Sequence, residues 1–530
     1  MAETWVGGDG TGDQQTDSSR AGNWSGGVPG SGDEVVIPNT THECRLVTSY
    51  TWGSLEIETG AEIDGNGKTI TLDDGGVANV FDNLGTITGI LDIKCNGSTG
   101  RNILNNGAGN IRNLEIDRTG VVFTLAFTLR LDGTLIITTG SELDTGSDRL
   151  LVVGGTTTID GTLTANSSNI TFQDDVTATG EYSATDGTTT LYRDWRSAAN
   201  KITHNGGTFK WATTTADGAT IATNGSATAT TGINNIEISG SGITVSPNEW
   251  ELSIYGNLTV TLGTFDTNYG VGDWDLTVRG TTQVTGTLTC NGSTISLGTG
   301  LTSGWGLDIQ SGGTFTGGTG THTIGSIFAA SAGTRTITLS SGDTTIDSKN
   351  TGNGYTINLA SGTTFNHGSG TVTMTYAGNT LIQLSSGTLA FNTFTYNATT
   401  RTLELRSAMS CAGNLTITAG TLDTNSTSNY ALTVTGVTQI GDGSGGTPDE
   451  ATLTCNDSTC SFGSTRQQAD YGLLVKANGT FNGGSGTHTA GGFYMDQSAD
   501  AKATLTNDVM TINGKNTSTN KSFRVEYGGD

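Results

Sequence analysis

Carboxylates are the residues of this chain best able to do chemistry, because acidic side chains outnumber basic ones by 49 to 24. Glycoside cleavage needs two carboxylates that face one groove. The sequence places neighbouring carboxylates at Asp73-Asp74 and at Asp174-Asp175. Adjacent residues on a strand point to opposite faces, so neither pair alone predicts a catalytic site. Two carboxylates on neighbouring coils of a repeat could form one, and the sequence does not locate them.

The least repetitive stretch, residues 170–215, is where we expect a glycan-cleaving site if the chain has one. This stretch contains Asp174, Asp175, Asp194, Arg193, Arg196 and Lys210. Tryptophans could stack on sugars if they were exposed, but half-buried positions in the repeats are the simpler interpretation. These are Trp195, Trp211, Trp250, Trp274 and Trp305.

Two acidic loops could bind calcium through oxygen ligands. One loop runs from Asp266 through Asp273 to Asp275, and the other runs from Asp442 to Glu450. We name Asp266, Asp273, Asp275 and Asp442 as weak calcium candidates. The expectation is that the chain has no cofactor, with a structural calcium ion as the alternative.

Cysteine and histidine are too scarce, and too far from a CxxC pattern, to predict a zinc site. Cys290 and Cys455 occupy equivalent repeat positions, and we interpret both as small buried apolar residues. Cys455 and Cys460 could pair across a turn, which the sequence leaves open. His322 and His488 lie in matching Gly-Thr-His-Thr segments and are interpreted as structural.

The elements that position these residues are internal repeats. Residues 129–144, 252–266 and 409–423 align on Gly133, Gly256 and Gly413. Downstream, TGTLTCNGSTISLG (285–298) matches DEATLTCNDSTCSFG (449–463). Within each repeat, apolar residues occupy every second position of short runs, which indicates strands with one buried face.

The sequence therefore predicts an all-β, right-handed parallel β-helix (β-solenoid) with an N-terminal cap. Asn166, Asn291 and Asn456 follow Leu-Thr-Ala or Leu-Thr-Cys in each copy. We interpret them as a ladder of turn residues whose side chains satisfy backbone groups, with a ligand-binding groove as the alternative. The recurring Asp144, Asp266 and Asp423 are likewise interpreted as turn residues. A unique catalytic residue would not recur in every repeat.

Four segments are predicted along the chain. Residues 1–40 form a cap and entry strand, with Trp5 and Trp24 as apolar plugs over the end of the core. Residues 41–250 form a first, irregular solenoid region. Residues 251–410 form one solenoid repeat unit, and residues 411–530 form a second, partial one.

The cap carries a resemblance. The run Asn23-Trp24-Ser25-Gly26-Gly27-Val28-Pro29, followed by Gly32-Asp33 and a valine-rich strand, resembles the opening of β-helical surface proteins. These include autotransporter-like adhesins and the repeat-rich tail fibres and spikes of phage virions. The resemblance implies a structural or adhesive role. The N-terminus lacks a secretory signal pattern, which favours a virion protein over a secreted adhesin.

Charge narrows the expected partners. The net charge of −25 disfavours binding to nucleic acid, and no apolar run is long enough to span a membrane. We expect a non-catalytic protein of a virion surface or extracellular filament that self-associates and contacts cell-surface glycans or other virion proteins. A polysaccharide lyase or glycoside hydrolase on the same scaffold is the runner-up, and a secreted bacterial adhesin is a further alternative.

Overall fold

The computed structural model describes residues 2–73, 77–213, 218–223, 225–270, 272–329, 333–443, 450–463, 470–496, 500–506 and 509–526. It confirms the predicted fold class: the chain is all-β, and its parallel strands stack as a β-solenoid of about 20 turns. The chain divides into two compact units, Met1–Tyr255 and Gly256–Asp530.

The first unit contains two short 3-10 helices, Gly12–Gln15 and Ala21–Asn23. Its strands β1 to β30 are, in chain order, Glu3–Thr4, Glu34–Ile37, Cys44–Arg45, Tyr50–Trp52, Ser54–Ile57, Glu62–Asp64, Lys68–Leu72, Asn79–Asn83, Thr86–Thr88, Leu91–Cys95, Asn102–Asn105, Asn113–Ile116, Val122–Leu125, Leu129–Leu131, Leu135–Ile137, Glu142–Asp144, Leu151–Val153, Thr157–Ile159, Thr162–Thr164, Ile170–Phe172, Val176–Ala178, Glu181–Ser183, Thr188–Leu191, Trp195–Ser197, Ile202–Thr203, Thr208–Trp211, Ala219–Thr223, Asn235–Ile238, Thr244–Pro247 and Leu252–Ile254.

Three parallel sheets form the main faces of the first unit. One face runs β1-β2-β5-β8-β11-β13-β16-β19-β22-β25, a second runs β4-β7-β10-β12-β15-β18-β21-β24-β27-β29, and a third runs β14-β17-β20-β23-β26-β28-β30. From β14 to β25 each coil therefore contributes one short strand to each face, and the earlier coils carry the separate sheet β3-β6-β9. Leu143 pairs with Leu163, and Leu163 pairs with Tyr182, so equivalent apolar residues stack along the core.

The end of the first core is covered by tryptophans. Trp5 and Trp24 are buried, and their rings meet edge to face with centroids 5.0 Å apart. Trp24 then contacts Trp52 at 5.9 Å. The indole nitrogens donate to the carbonyls of His42 and Ser18, which satisfies their polar ends within this apolar cap.

The second unit has the strands β31 to β63. In chain order these are Leu258–Val260, Thr264–Asp266, Asn268–Tyr269, Gly272–Asp273, Leu276–Val278, Thr282–Val284, Thr287–Thr289, Ile295–Leu297, Leu307–Ile309, Thr314–Thr316, His322–Ile324, Ile327–Ala329, Arg335–Thr338, Thr344–Ile346, Tyr355–Leu359, Thr363–Asn366, Thr371–Met374, Thr380–Leu384, Thr388–Phe391, Thr393–Leu405, Ala408–Cys411, Leu415–Asp423, Leu432–Val434, Thr438–Ile440, Ala451–Thr454, Cys460–Phe462, Leu473–Val475, Gly479–Gly484, His488–Ala490, Phe493–Asp496, Lys502–Leu505, Met510–Ile512 and Phe523–Glu526.

The second unit is also a stack of parallel strands. Its first coils carry the ladders β31-β36-β39-β42-β45, β32-β37-β40-β43-β46 and β35-β38-β41-β44-β47. Its later coils carry β52-β54-β57-β60-β63, β52-β55-β58-β61 and β49-β51-β53-β56-β59-β62. The strands form because apolar residues alternate with threonine, serine and asparagine. Most of the three-residue strands bury only their first and third or only their middle side chain.

Candidate functional site

One turn of the coil occurs three times with nearly the same sequence, and the predicted asparagine ladder and its two cysteines lie in it. We call the three segments turn copies one, two and three: residues 163–172, 288–297 and 453–462. In each copy an asparagine with left-handed backbone donates its side-chain amide to an aspartate of the preceding coil. The φ angles are 50° at Asn166, 48° at Asn291 and 53° at Asn456. The amide-to-carboxylate distances are 2.6 Å to Asp144, 2.5 Å to Asp266 and 2.7 Å to Asp423.

The aspartates are held by a second bond as well. Asp144 Oδ1 accepts from the backbone N–H of Gly146, Asp266 from that of Asn268 and Asp423 from that of Asn425. These are local turns closed by the aspartate side chain. The asparagine amides were expected to satisfy backbone groups, but in the structure they donate to these side-chain carboxylates.

Hydroxyl groups complete the turn beneath the asparagine. Thr267 Oγ1 donates to the carbonyl of Cys290 at 2.7 Å, and Ser293 donates to Thr267 at 2.7 Å. Thr424 makes the same bond to Cys455, and Ser458 donates to Thr424, both at 2.7 Å. In turn copy two, and likewise in turn copy three, these hydrogen bonds therefore link the turn to the coil before it.

The calcium candidates do not gather around one point. Asp273 accepts from the amide of Asn268 across the antiparallel hairpin of β33 and β34, which occupies the predicted loop. Asp275 accepts from the backbone N–H of Thr294 at 2.7 Å. Asp442 is exposed, and residues 444–449 of its loop lie outside the described residues. Calcium binding stays a prediction.

The carboxylates of residues 170–215 also bind backbone groups. Asp174 accepts from the N–H of Asp175, Asp175 from that of Asp194, and Asp194 from that of Thr220 at 2.7 Å. Two basic residues of this stretch pair with glutamates: Lys210 with Glu237 at 2.8 Å, and Arg196 with Glu249 at 2.7 Å. Of the other predicted pair, Asp73 accepts from the backbone N–H of Gly32, and Asp74 lies outside the described residues.

Most of the tryptophans considered for sugar stacking are buried. Trp195 and Trp211 are fully buried, and Trp305 is nearly so, whereas Trp250 is 44% exposed. Trp250 lines an open depression beside the Arg196–Glu249 ion pair. It is therefore the tryptophan of this set that a glycan could reach most directly.

Two carboxylates on neighbouring coils line another open depression in the first unit. Glu56 and Asp82 are paired in register on β5 and β8, and Glu34 lies on the adjoining strand. Burial raises the pKa of Glu56, with further contributions from the negative charges of Asp82 and Glu58. Sequence reasoning allowed for such a pair but did not locate it, because the pairing depends on the register between coils.

The densest group of chemically reactive side chains is in turn copy three. The ligand atoms of Cys455, Cys460 and His488 all lie within 4.8 Å of one another. In the part of the chain that the structure describes, no other group of three His, Cys, Asp or Glu side chains meets this condition. All three residues are fully buried. Cys455 and Cys460 bracket the turn, and His488 is the register neighbour of Cys460 on the next coil.

The electrostatics of this cluster differ from those of the other cysteines. Hydrogen bonding from Cys455 lowers the pKa of Cys460 below its usual range; burial opposes this shift, and His488 adds to it. Burial instead raises the pKa of Cys290 and of Cys95. Cys460 is thus the cysteine whose surroundings favour the thiolate.

This cluster could not be predicted from the composition and motifs of the sequence. The absence of a CxxC pair and the small number of histidines argued against a zinc site, yet a Cys-x4-Cys turn and a histidine 28 residues after Cys460 meet in the core. The available signal was the substitution of Cys460 for Ile295 between otherwise matching repeats.

The comparisons with known proteins identify no family for the chain. No protein-family model matches it, and no curated protein or solved structure matches it either. Among the residues that the structure describes, no helix has the length and apolar character needed to cross a membrane.

Proposed function

We propose that this chain is a non-catalytic structural or adhesive β-solenoid that acts on a virion surface, as in a phage tail fibre or spike, or in an extracellular filament. The supporting observation is the use of its repeated carboxylates. Asp144, Asp266 and Asp423 each close a turn and bind an asparagine of the next coil. Carboxylates used in this way hold successive coils of the stack together.

The surface chemistry is consistent with this role. A net charge of −25 keeps such a protein soluble and disfavours contacts with phosphate backbones. The proposed partners are further copies of the chain, other virion proteins or cell-surface glycans. A secreted bacterial adhesin would share this scaffold and surface.

Sedimentation velocity and negative-stain electron microscopy across a range of protein concentrations test the structural role. We expect homo-oligomers or filaments whose size is unchanged by dilution in high salt. A monomer at every concentration would contradict the self-associating role.

The second candidate is a glycan-cleaving enzyme, favoured by the Glu56–Asp82 pair in its depression. Neighbouring parallel strands lie about 4.8 Å apart, so two in-register carboxyl side chains can approach the roughly 5 Å separation of the carboxyl groups in retaining glycosidases. Screening acidic and neutral polysaccharides with the native chain and with Glu56→Gln and Asp82→Asn variants tests this candidate. We expect no depolymerisation. Cleavage that either variant abolishes would replace the structural proposal with the enzymatic one.

A further inference from the structure

The cysteine–histidine cluster occupies two core positions of turn copy three and one position on the following coil, and all three positions differ among the copies. Turn copy one has Ala165 and Ile170, and Thr189 is the register neighbour of Ile170. Turn copy two has Cys290, Ile295 and His322 at these places. Turn copy three has Cys455, Cys460 and His488. The number of side chains able to bind a metal therefore rises from none to two to three on one backbone framework.

The frameworks of turn copies two and three match closely. Ser293 N–H donates to the carbonyl of Cys290 at 3.0 Å, and Ser458 N–H donates to that of Cys455 at 2.9 Å. Gly318 and Gly484 both have positive φ and lie against the carbonyls of Asn291 and Asn456, where a Cβ atom would overlap the oxygen. The cluster is therefore a change of side chains within a retained turn.

Hydrogen bonding sets the orientation of the histidine ring. His488 Nε2 donates to the carbonyl of Gly483 at 2.9 Å. This bond fixes the proton on Nε2 and places the lone pair of the ring on Nδ1. Histidines that bind metals commonly use this arrangement, in which the second nitrogen donates to a backbone carbonyl.

The three side chains of the cluster lie side by side in the core, and their ligand atoms are within 4.8 Å of one another. Phe462 and Phe481 pack beside the histidine, with ring centroids 6.4 and 5.9 Å from that of His488, and contribute no ligand atom. A metal ion bound between the two thiols and the imidazole would displace the thiol protons and use all three ligand atoms.

We propose that Cys455, Cys460 and His488 bind one thiophilic d10 metal ion, Zn²⁺ or Cu⁺, in the core of the second unit. Two thiolates and an imidazole are the donor set that both ions prefer. Zn²⁺ with two thiolates is neutral, which suits a buried site, and it would take a fourth ligand. Cu⁺ is stable with these three donors alone.

The bound ion would join two successive coils. Cys455 and Cys460 lie at the ends of β55 and β56, whereas His488 begins β59 on the following coil. In turn copy two, Ile295 pairs with His322 across the same step without a second thiol. The metal would thus cross-link two coils at one place in the stack. This site does not depend on the proposed structural function.

The test measures metal bound by the purified full-length chain. Reduced protein is dialysed without oxygen against Zn²⁺ or, in a separate experiment, against Cu⁺, each in the presence of a competing chelator. The number of metal ions bound per chain is then measured by inductively coupled plasma mass spectrometry. The native chain should retain one ion. Cys460→Ile should retain none and still fold, because isoleucine occupies this position in turn copy two. Ile295→Cys should retain two ions, because it completes the second set.

The measurements distinguish a zinc site, a copper site and a disulfide between Cys455 and Cys460. A charge-transfer absorption from thiolate to Co²⁺, used as a probe for Zn²⁺, indicates the zinc site, whereas retention of Cu⁺ alone indicates the copper site. Equal metal content in the native chain and Cys460→Ile would overturn the proposal. So would a failure of the reduced native chain to bind either ion. Loss of two free thiols in native protein purified without reductant, with no metal bound even after reduction, would assign Cys455 and Cys460 to a disulfide.

Discussion

Turn copies two and three share the same backbone framework, but the side chains around it create different chemical environments. In turn copy two, Cys290 lies near an isoleucine, and burial raises its pKa. In turn copy three, Cys455 lies near the thiol of Cys460, and a hydrogen bond from Cys455 lowers the pKa of Cys460. A single side-chain difference, Ile295 against Cys460, separates an ordinary apolar core position from a potential ligand set. A repeat protein can therefore acquire a site without remodelling its fold.

The histidines show the same contrast. His488 donates to the carbonyl of Gly483, and its ring lies beside the two thiols. His322 packs beside Phe315, and burial lowers its pKa to about 4. The same residue in the same turn thus packs as a neutral apolar side chain in one copy and lies in a polar cluster in the other.

The largest expected effect is metal-dependent stability in turn copy three. A ligand present at about 1,000 times its dissociation constant stabilises the folded state by about 4 kcal/mol. We expect Zn²⁺ or Cu⁺ to raise the free energy of unfolding of the native chain by this order, measured by urea unfolding under reducing conditions. Cys460→Ile is the matched control and should show no such gain. Equal gains in both proteins would mean that the metal acts elsewhere.

The next effect concerns His322 and pH. Its folded-state pKa of about 4 lies below the unfolded value near 6.5, so the unfolded chain takes up a proton first as the pH falls. The stabilisation is present above about pH 6.5 and is lost towards pH 4. We expect this one group to account for a loss of about 3 kcal/mol over that window.

Urea unfolding between pH 7 and pH 4 measures this loss as the difference between the native chain and His322→Leu, which should have the shallower pH dependence. An identical slope in the native chain and His322→Leu would show that folding does not lower the pKa of His322.

The fold and the repeated turn residues could be predicted from the sequence. The solenoid follows from local information, because alternation of apolar and polar residues fixes which face of each short strand is buried. The recurring Asp144, Asp266 and Asp423 were correctly interpreted as turn residues, because a residue present in every copy serves a need of every copy.

The cysteine–histidine cluster could not be predicted in this way, because it depends on register between coils. The step from Cys460 to His488 is one residue longer than the step from Ile295 to His322. A slip of one residue would turn a side chain to the opposite face of the sheet. Sequence alone does not say which residues of a coil are looped out, so it cannot place His488 against Cys460.

A smaller effect is expected from the asparagine that both turns share. Replacing Asn291 or Asn456 by alanine removes the bond to Asp266 or Asp423 and forces alanine into left-handed backbone. We expect a loss of about 2 kcal/mol in each case. Asn291→Gly keeps the backbone conformation and loses only the bond, so it should cost about 1 kcal/mol. Chemical unfolding followed by circular dichroism gives these values, and equal losses for alanine and glycine would rule out the backbone contribution.

The smallest effect is expected at the first cysteine of each turn. Alanine already occupies this position as Ala165 in turn copy one, where it is fully buried. Cys290→Ala should therefore cost no more than about 1 kcal/mol, the loss of one buried sulfur atom. Without metal, Cys455→Ala should cost the same, because the backbone around the two cysteines is the same. With Zn²⁺ or Cu⁺ present, only Cys455→Ala should become more damaging, since it removes a ligand. If Cys455→Ala costs more than Cys290→Ala in metal-free protein, the hydrogen bond between the thiols stabilises turn copy three by itself.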